Sequence, residues 1–148
     1  MKLSTRSQYA ITAILELALK QQEKAVTLLE IARMENISLS YLEQLFTQLR
    51  QHGLVLGRRG PGGGYTLARN PAEITIAEIV AAVDNKTHME NTLPDSGTEI
   101  TSAHLWQHLS NKIRNYISSI TVADILAIVK DTKEETRVEA IEAFKKLA

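Results

Sequence analysis

Residues 57–64, Gly-Arg-Arg-Gly-Pro-Gly-Gly-Gly, limit what this chain can fold into more than any other stretch. Five glycines and one proline in eight residues exclude a helix there, because glycine is entropically costly in a helix and proline lacks the amide donor. Short apolar runs flank the segment, Leu54-Val55-Leu56 before it and Tyr65-Thr66-Leu67 after it. Two such runs around a glycine-rich break predict a β-hairpin with a basic tip.

Everything upstream of the hairpin has helical periodicity. Tyr9, Ala10, Ala13, Ile14, Leu17 and Ala18 recur on a 3.6-residue period, which predicts an amphipathic helix over about 5–21. Thr27 and Glu30 have capping-box spacing, so a short helix should follow, burying Leu28, Ile31 and Ala32. Glu35-Asn36 should end it in a tight turn. Ser38 then caps a second helix over 39–52, with Leu42, Leu45, Phe46 and Leu49 on one face and Gly53 closing it.

Downstream, Thr75 and Glu78 form another capping box and open a helix to about Asp84. Residues 85–100 read as a polar loop. A long helix is expected over 101–119, presenting Leu105, Leu109, Ile113, Tyr116, Ile117 and Ile120. Thr121 and Asp124 cap a short helix to about Val129, and a separate, mostly charged helix is expected over 132–147, with Val138, Ile141 and Phe144 to pack. The expected fold is mainly α with a small β-hairpin wing. It divides into residues 1–84, a loop at 85–100, and helices at 101–148.

Composition narrows the function. The net charge is zero, yet residues 1–70 carry nine Lys/Arg against five Asp/Glu (+4), and residues 71–148 carry eight against twelve (−4). A basic front half is consistent with phosphate binding at one end. There is no cysteine, which excludes disulfides, thiolate zinc sites, cysteine nucleophiles and cysteine-ligated clusters. No apolar run approaches the ~18 residues of a membrane span. The N-terminal residues lack a signal-peptide core, so the expected location is cytoplasmic.

Two short helices, a tight turn and a basic hairpin make the order of a winged helix-turn-helix. In that arrangement the second helix enters the major groove and its N-terminal residues face base edges. Those residues are Ser38, Ser40, Tyr41 and Gln44, and Gln can pair bidentately with adenine. Glu43 has two readings: it accepts from a cytosine amino group, or it solvates the helix and pairs with Arg50. At the tip, Arg58 and Arg59 suit a narrow minor groove, and Gly62 and Gly63 let the backbone approach DNA. A polar tip kept for solubility is the plainer alternative. A phosphate-binding P-loop fails, because no Gly-Lys-Ser/Thr follows.

The stretches RSQYAITAILELAL (6–19), ISLSYLEQLF (37–46), GLV (53–55), RGPGGGY (59–65) and ITIAEIVAAVD (74–84) resemble the winged-helix family typified by the iron–sulfur cluster regulator IscR. The likeness runs to about Asp84, resumes weakly at HLWQHLSNKI (104–113) and fades after about Leu126. It implies a homodimer, with the 101–119 helix packed against its symmetry mate, bound to double-stranded DNA at a pseudo-palindromic operator. By the same resemblance, Ser38, Ser40, Tyr41, Glu43 and Gln44 occupy the recognition-helix positions and Arg59 that of the wing arginine. The family's glutamate at that place helps discriminate between operator classes. Cluster-sensing members carry three cysteines, and often a histidine, in the loop corresponding to 85–103. His88, Pro94, Ile100 and Ala103 stand near those places here, so no cofactor is expected.

His104 and His108 lie four apart on a helix and are candidate metal ligands, but without a clear third ligand such a pair usually marks surface or dimer-interface positions. His88, Glu90, Asp95 and Glu99 could add ligands from the loop, although acidic loops are usually just solvated. Trp106 is expected to pack beneath the dimer helix, and Tyr9 in the core. No motif places a nucleophile beside a base, so an enzyme is not expected. The competing functions are a winged helix that binds protein instead of DNA, and a regulator responding to a small molecule or metal.

Overall fold

A computed structural model describes residues 3–20, 24–84 and 100–147. Its elements run α1 (Thr5–Lys20), α2 (Leu28–Glu35), α3 (Leu39–Gln51), β1 (Val55–Arg58), β2 (Gly64–Leu67), a 3-10 turn (Pro71–Glu73), α4 (Ile76–Val83), α5 (Ile100–Ser119) and α6 (Val122–Leu147). The fold is that expected: mainly helical, with one antiparallel hairpin, Val55 opposite Leu67 and Arg58 opposite Gly64.

Local chemistry sets the boundaries. Thr27 accepts from the Glu30 N–H, starting α2. Asn36 takes the left-handed conformation (φ 52°, ψ 46°), and the Ile37 N–H bonds back to the Ala32 carbonyl. That turn drops Ile37 into the core and aims the chain at Ser38. At the far end of α3, Gly53 N–H donates to Arg50 O and Leu54 N–H to Leu49 O, each at 3.0 Å. This is a Schellman closure. It spends Leu54 as a buried plug, so β1 starts one residue later than the apolar run suggests.

The core joins α1, α2, α3, the hairpin and α4. Ile14, Leu17, Ile31, Leu42, Leu45, Phe46, Leu49, Leu54 and Ile79 are fully buried in it. Each such side chain is worth about 1.5–3 kcal/mol of transfer free energy. The C-terminal helices attach through Val122, Ile117, Ile120, Ile125 and Leu126, which pack on this core, and through a small backbone bridge. Ile76 N–H donates to Ile120 O (2.9 Å), and Val122 N–H to Ile74 O (2.8 Å). Thr75 and Thr121, which cap α4 and α6, thus lie side by side.

The C-terminal region differs from expectation in one respect. Two helices were expected, but α6 runs unbroken from Val122 to Leu147. No glycine or proline lies in that span. Thr132 and Thr136 donate their hydroxyls to Ile128 O and Thr132 O, both at 2.9 Å. Threonine is tolerated inside a helix when it bonds back to the preceding turn. The packing expected of Val138, Ile141 and Phe144 lies outside the described residues, as do His88, Glu90, Pro94, Asp95 and Glu99.

Candidate nucleic-acid interface

Helix α3 begins with Ser38, whose hydroxyl accepts from the Tyr41 N–H (3.3 Å) and lies 2.9 Å from the Ser40 hydroxyl. Ser38, Ser40, Glu43 and Gln44 are exposed, and Tyr41 is half-buried. The opposite face of the helix carries Leu42, Leu45, Phe46 and Leu49 into the core. Amphipathicity alone therefore sorts α3 into a buried face and an exposed polar face. The alternative pairing of Glu43 with Arg50 does not form: the ion pair among the described residues is Arg69–Glu78 (2.8 Å).

The hairpin presents the second polar group. Gly60 O accepts from the Gly63 N–H at 2.9 Å. Pro61 sets the second position of this turn, and Gly62 (φ +73°) supplies the positive φ of the third, the requirements of a type II turn. Arg58 and Arg59 are exposed beside it.

The hairpin is fixed to the body at its base. Tyr65 exchanges two backbone hydrogen bonds with Val26, Val26 N–H to Tyr65 O (3.0 Å) and Tyr65 N–H to Val26 O (2.7 Å). Gly64 makes that approach possible, because a Cβ on it would lie 2.5 Å from the Val26 carbonyl oxygen. The Tyr65 ring also meets Phe46 of α3 edge-on, with centroids 4.8 Å apart. One aromatic contact thus ties wing to recognition helix. Val26 gave no signal in the sequence, since an isolated bridge residue has no periodicity.

Three polar links brace this assembly. Arg69 bonds the Glu78 carboxylate (2.8 Å) and the Glu73 carbonyl (3.2 Å), tying the end of the wing to α4. Partial burial works against the Glu78 charge. The Thr75 backbone N–H and the Arg69 guanidinium outweigh it and hold the carboxyl below its ordinary value. Asp84, closing α4, accepts from the Ser4 and Ser7 hydroxyls at 2.7 and 2.6 Å. Arg6 of α1 reaches across to Gln48 Oε1 on α3 (2.5 Å).

Two aromatic residues sit elsewhere than the sequence suggests. Tyr9 is 37% exposed and not a core residue. Its ring stands edge-on to Tyr41, centroids 5.8 Å apart at 81°. Trp106 is 62% exposed among the described residues of the chain. On α5, Leu105, Leu109 and Tyr116 are also exposed, whereas Ile117 and Ile120 pack onto the protomer's own core; Ile113 is half-buried. His104 and His108 are exposed, and among the described residues no group of three potential ligands surrounds a metal position. An iron–sulfur cluster of the kind the resemblance implies needs thiolates, and the chain has no cysteine to give. Among the described residues no helix is long and apolar enough to cross a membrane.

A polar recognition helix behind a left-handed turn, with an arginine-bearing hairpin clamped to it, defines a winged helix-turn-helix protein. The family described as Rrf2, iron-dependent transcriptional regulator, matches residues 3–128, and the chain belongs to it. It is 42% identical over 131 residues to the HTH-type transcriptional regulator IscR of Photorhabdus laumondii, covering 85% of this chain and 79% of that protein. Among solved structures, T. potens IscR superposes with a TM-score of 0.76 at 32% identity, covering 89% of this chain and 90% of that one. CymR, described as the global cysteine regulator of B. subtilis, gives 0.75 at 33% identity, covering 86% and 98%.

Proposed function

We propose that the chain is a homodimeric, sequence-specific regulator that represses transcription from a pseudo-palindromic operator and does so without an iron–sulfur cluster. The observation that carries this reading is the Phe46–Tyr65 contact, which couples an exposed polar helix face to an exposed arginine tip. Ser38, Ser40, Tyr41 and Gln44 read base edges in the major groove, and Glu43 selects for cytosine amino groups. Arg59, with Arg58, enters the adjacent minor groove, where Gly62 and Gly63 let the backbone come close. Leu105, Leu109, Ile113 and Tyr116 on α5 meet the same residues of a second copy, with Ile117 and Ile120 bracing the helix from behind. Membership of a regulator family supports the DNA partner, and the absent thiolates support the lack of a cluster.

Selection of bound duplexes from a random pool, with metal-free protein, tests this directly. The expected outcome is a two-fold symmetric motif. Arg59→Ala should then cost about 1–3 kcal/mol of binding to that motif while folding is unchanged. Affinity should also fall steeply between low and physiological salt. Unchanged binding by the variant, or indifference to salt, would point to a protein partner. Run-off transcription on an operator-bearing template reads the sign of regulation, and reconstitution with iron and sulfide should produce no visible-absorbing, protein-bound cluster.

A further inference from the structure

We propose that the first two turns of α1 are a third part of the DNA interface, in which Tyr9 and Thr5 grip the phosphate strand flanking the groove that α3 reads. This rests on the DNA-binding function above and extends it to a helix with no assigned role in recognition. An open groove of about 530 Å³ runs between α1 and the start of α3. Thr5 and Tyr9 line one wall, and Ser38, Ser40, Tyr41 and Gln44 line the other. The second wall is the base-reading surface itself, so a duplex seated on α3 brings its backbone past the first wall.

The chemistry of the first wall suits a phosphate. Thr5 and Tyr9 each offer a neutral hydroxyl donor and are exposed. No carboxylate lines the groove. Arg6, next to Thr5 in α1, is held against α3 by its bond to Gln48. Its Nε is a buried nitrogen without a hydrogen-bond partner among the described residues, and the partner of its terminal nitrogen, the Gln48 amide, is neutral. That charge favours an anion in the groove without needing to touch it. The edge-on contact with Tyr41 fixes the Tyr9 ring before DNA arrives, which lowers the entropic cost of the contact. Hydroxyl contacts to phosphate set register and carry no base information. Tyr9 and Thr5 are therefore assigned to affinity, whereas Gln44 across the groove is assigned to sequence.

Tyr9→Phe removes the hydroxyl and keeps the ring against Tyr41. Its binding should be measured on the selected duplex and on a scrambled duplex of equal length, beside native protein and Arg59→Ala. The expected result is a loss of about tenfold on both duplexes by the same factor, with an unchanged thermal midpoint. Thr5→Val should act in the same direction and more weakly. Arg6→Met should weaken binding to both duplexes by a similar factor, and its thermal midpoint separates this from misfolding. Native affinity in Tyr9→Phe, or a loss confined to the selected duplex, overturns the inference while leaving the DNA-binding function intact. If native protein binds neither duplex, that function fails and takes the inference with it.

Discussion

The two ends of this molecule solve the problem of apolar surface differently. From α1 to α4 the chain completes a core by itself: apart from Val122, every buried hydrophobic residue described lies at or before Val83. Along α5 it does the reverse, leaving Leu105, Trp106, Leu109 and Tyr116 in solvent. Large exposed side chains repeating along one helix mark an interaction surface more often than a defect. The contrast teaches a division of labour: the front closes its own core, and the back keeps apolar side chains on its surface.

If that division holds, the largest effect should come from the finished half. Phe46→Ala removes the side chain that both fills the core and supports Tyr65, and it should destabilise the fold by about 3–5 kcal/mol, read from the denaturant midpoint. Next, Tyr116→Glu should give a monomer by sedimentation and weaken operator binding by about 10²-fold through loss of the second half-site. The thermal midpoint of the monomer at high protein concentration should hardly move; a collapse there would mean that α5 belongs to the front core after all. Gly64→Ala forces a Cβ against Val26 and should cost about 1–3 kcal/mol, with wing amides exchanging faster than those of α1.

The smallest effect should come from Arg69→Met, at about 0–1 kcal/mol, because both partners are more than a third exposed and solvent screens the pair. Its pH dependence has a definite sign. Glu78 ionises more readily in the folded chain than its ordinary value of 4.5. Its contribution is therefore full above that value and is lost as acid is taken down through the lowered one. The variant should show less of this acid loss than the native chain.

Much of the fold could be read directly from capping residues. Thr27, Ser38, Thr75 and Thr121 each start a helix where a hydroxyl precedes its first free amides, and such chemistry is local enough to be visible in a sequence. The polar face of α3 and the arginine tip were legible for the same reason. What escaped depends on partners distant in the chain. Val26 acquires its role only when Tyr65 arrives beside it, and Tyr9 meets its partner, Tyr41, only across the neighbouring helix. The Pro71–Glu73 turn, capped by Asn70, is too short for periodicity to detect. The continuity of α6 was obscured because hydroxyl residues have opposite meanings at a helix start and in its middle.

The clamp at the foot of the hairpin has a mechanical corollary. Paired amides on Val26 and an aromatic wedge against Phe46 leave the wing little freedom to swing toward or away from α3. A jaw with a set gauge cannot adjust to its workpiece. In the function proposed here, fitting then falls to the duplex, and steps that kink or narrow easily between the two contact points are favoured even where no side chain touches a base.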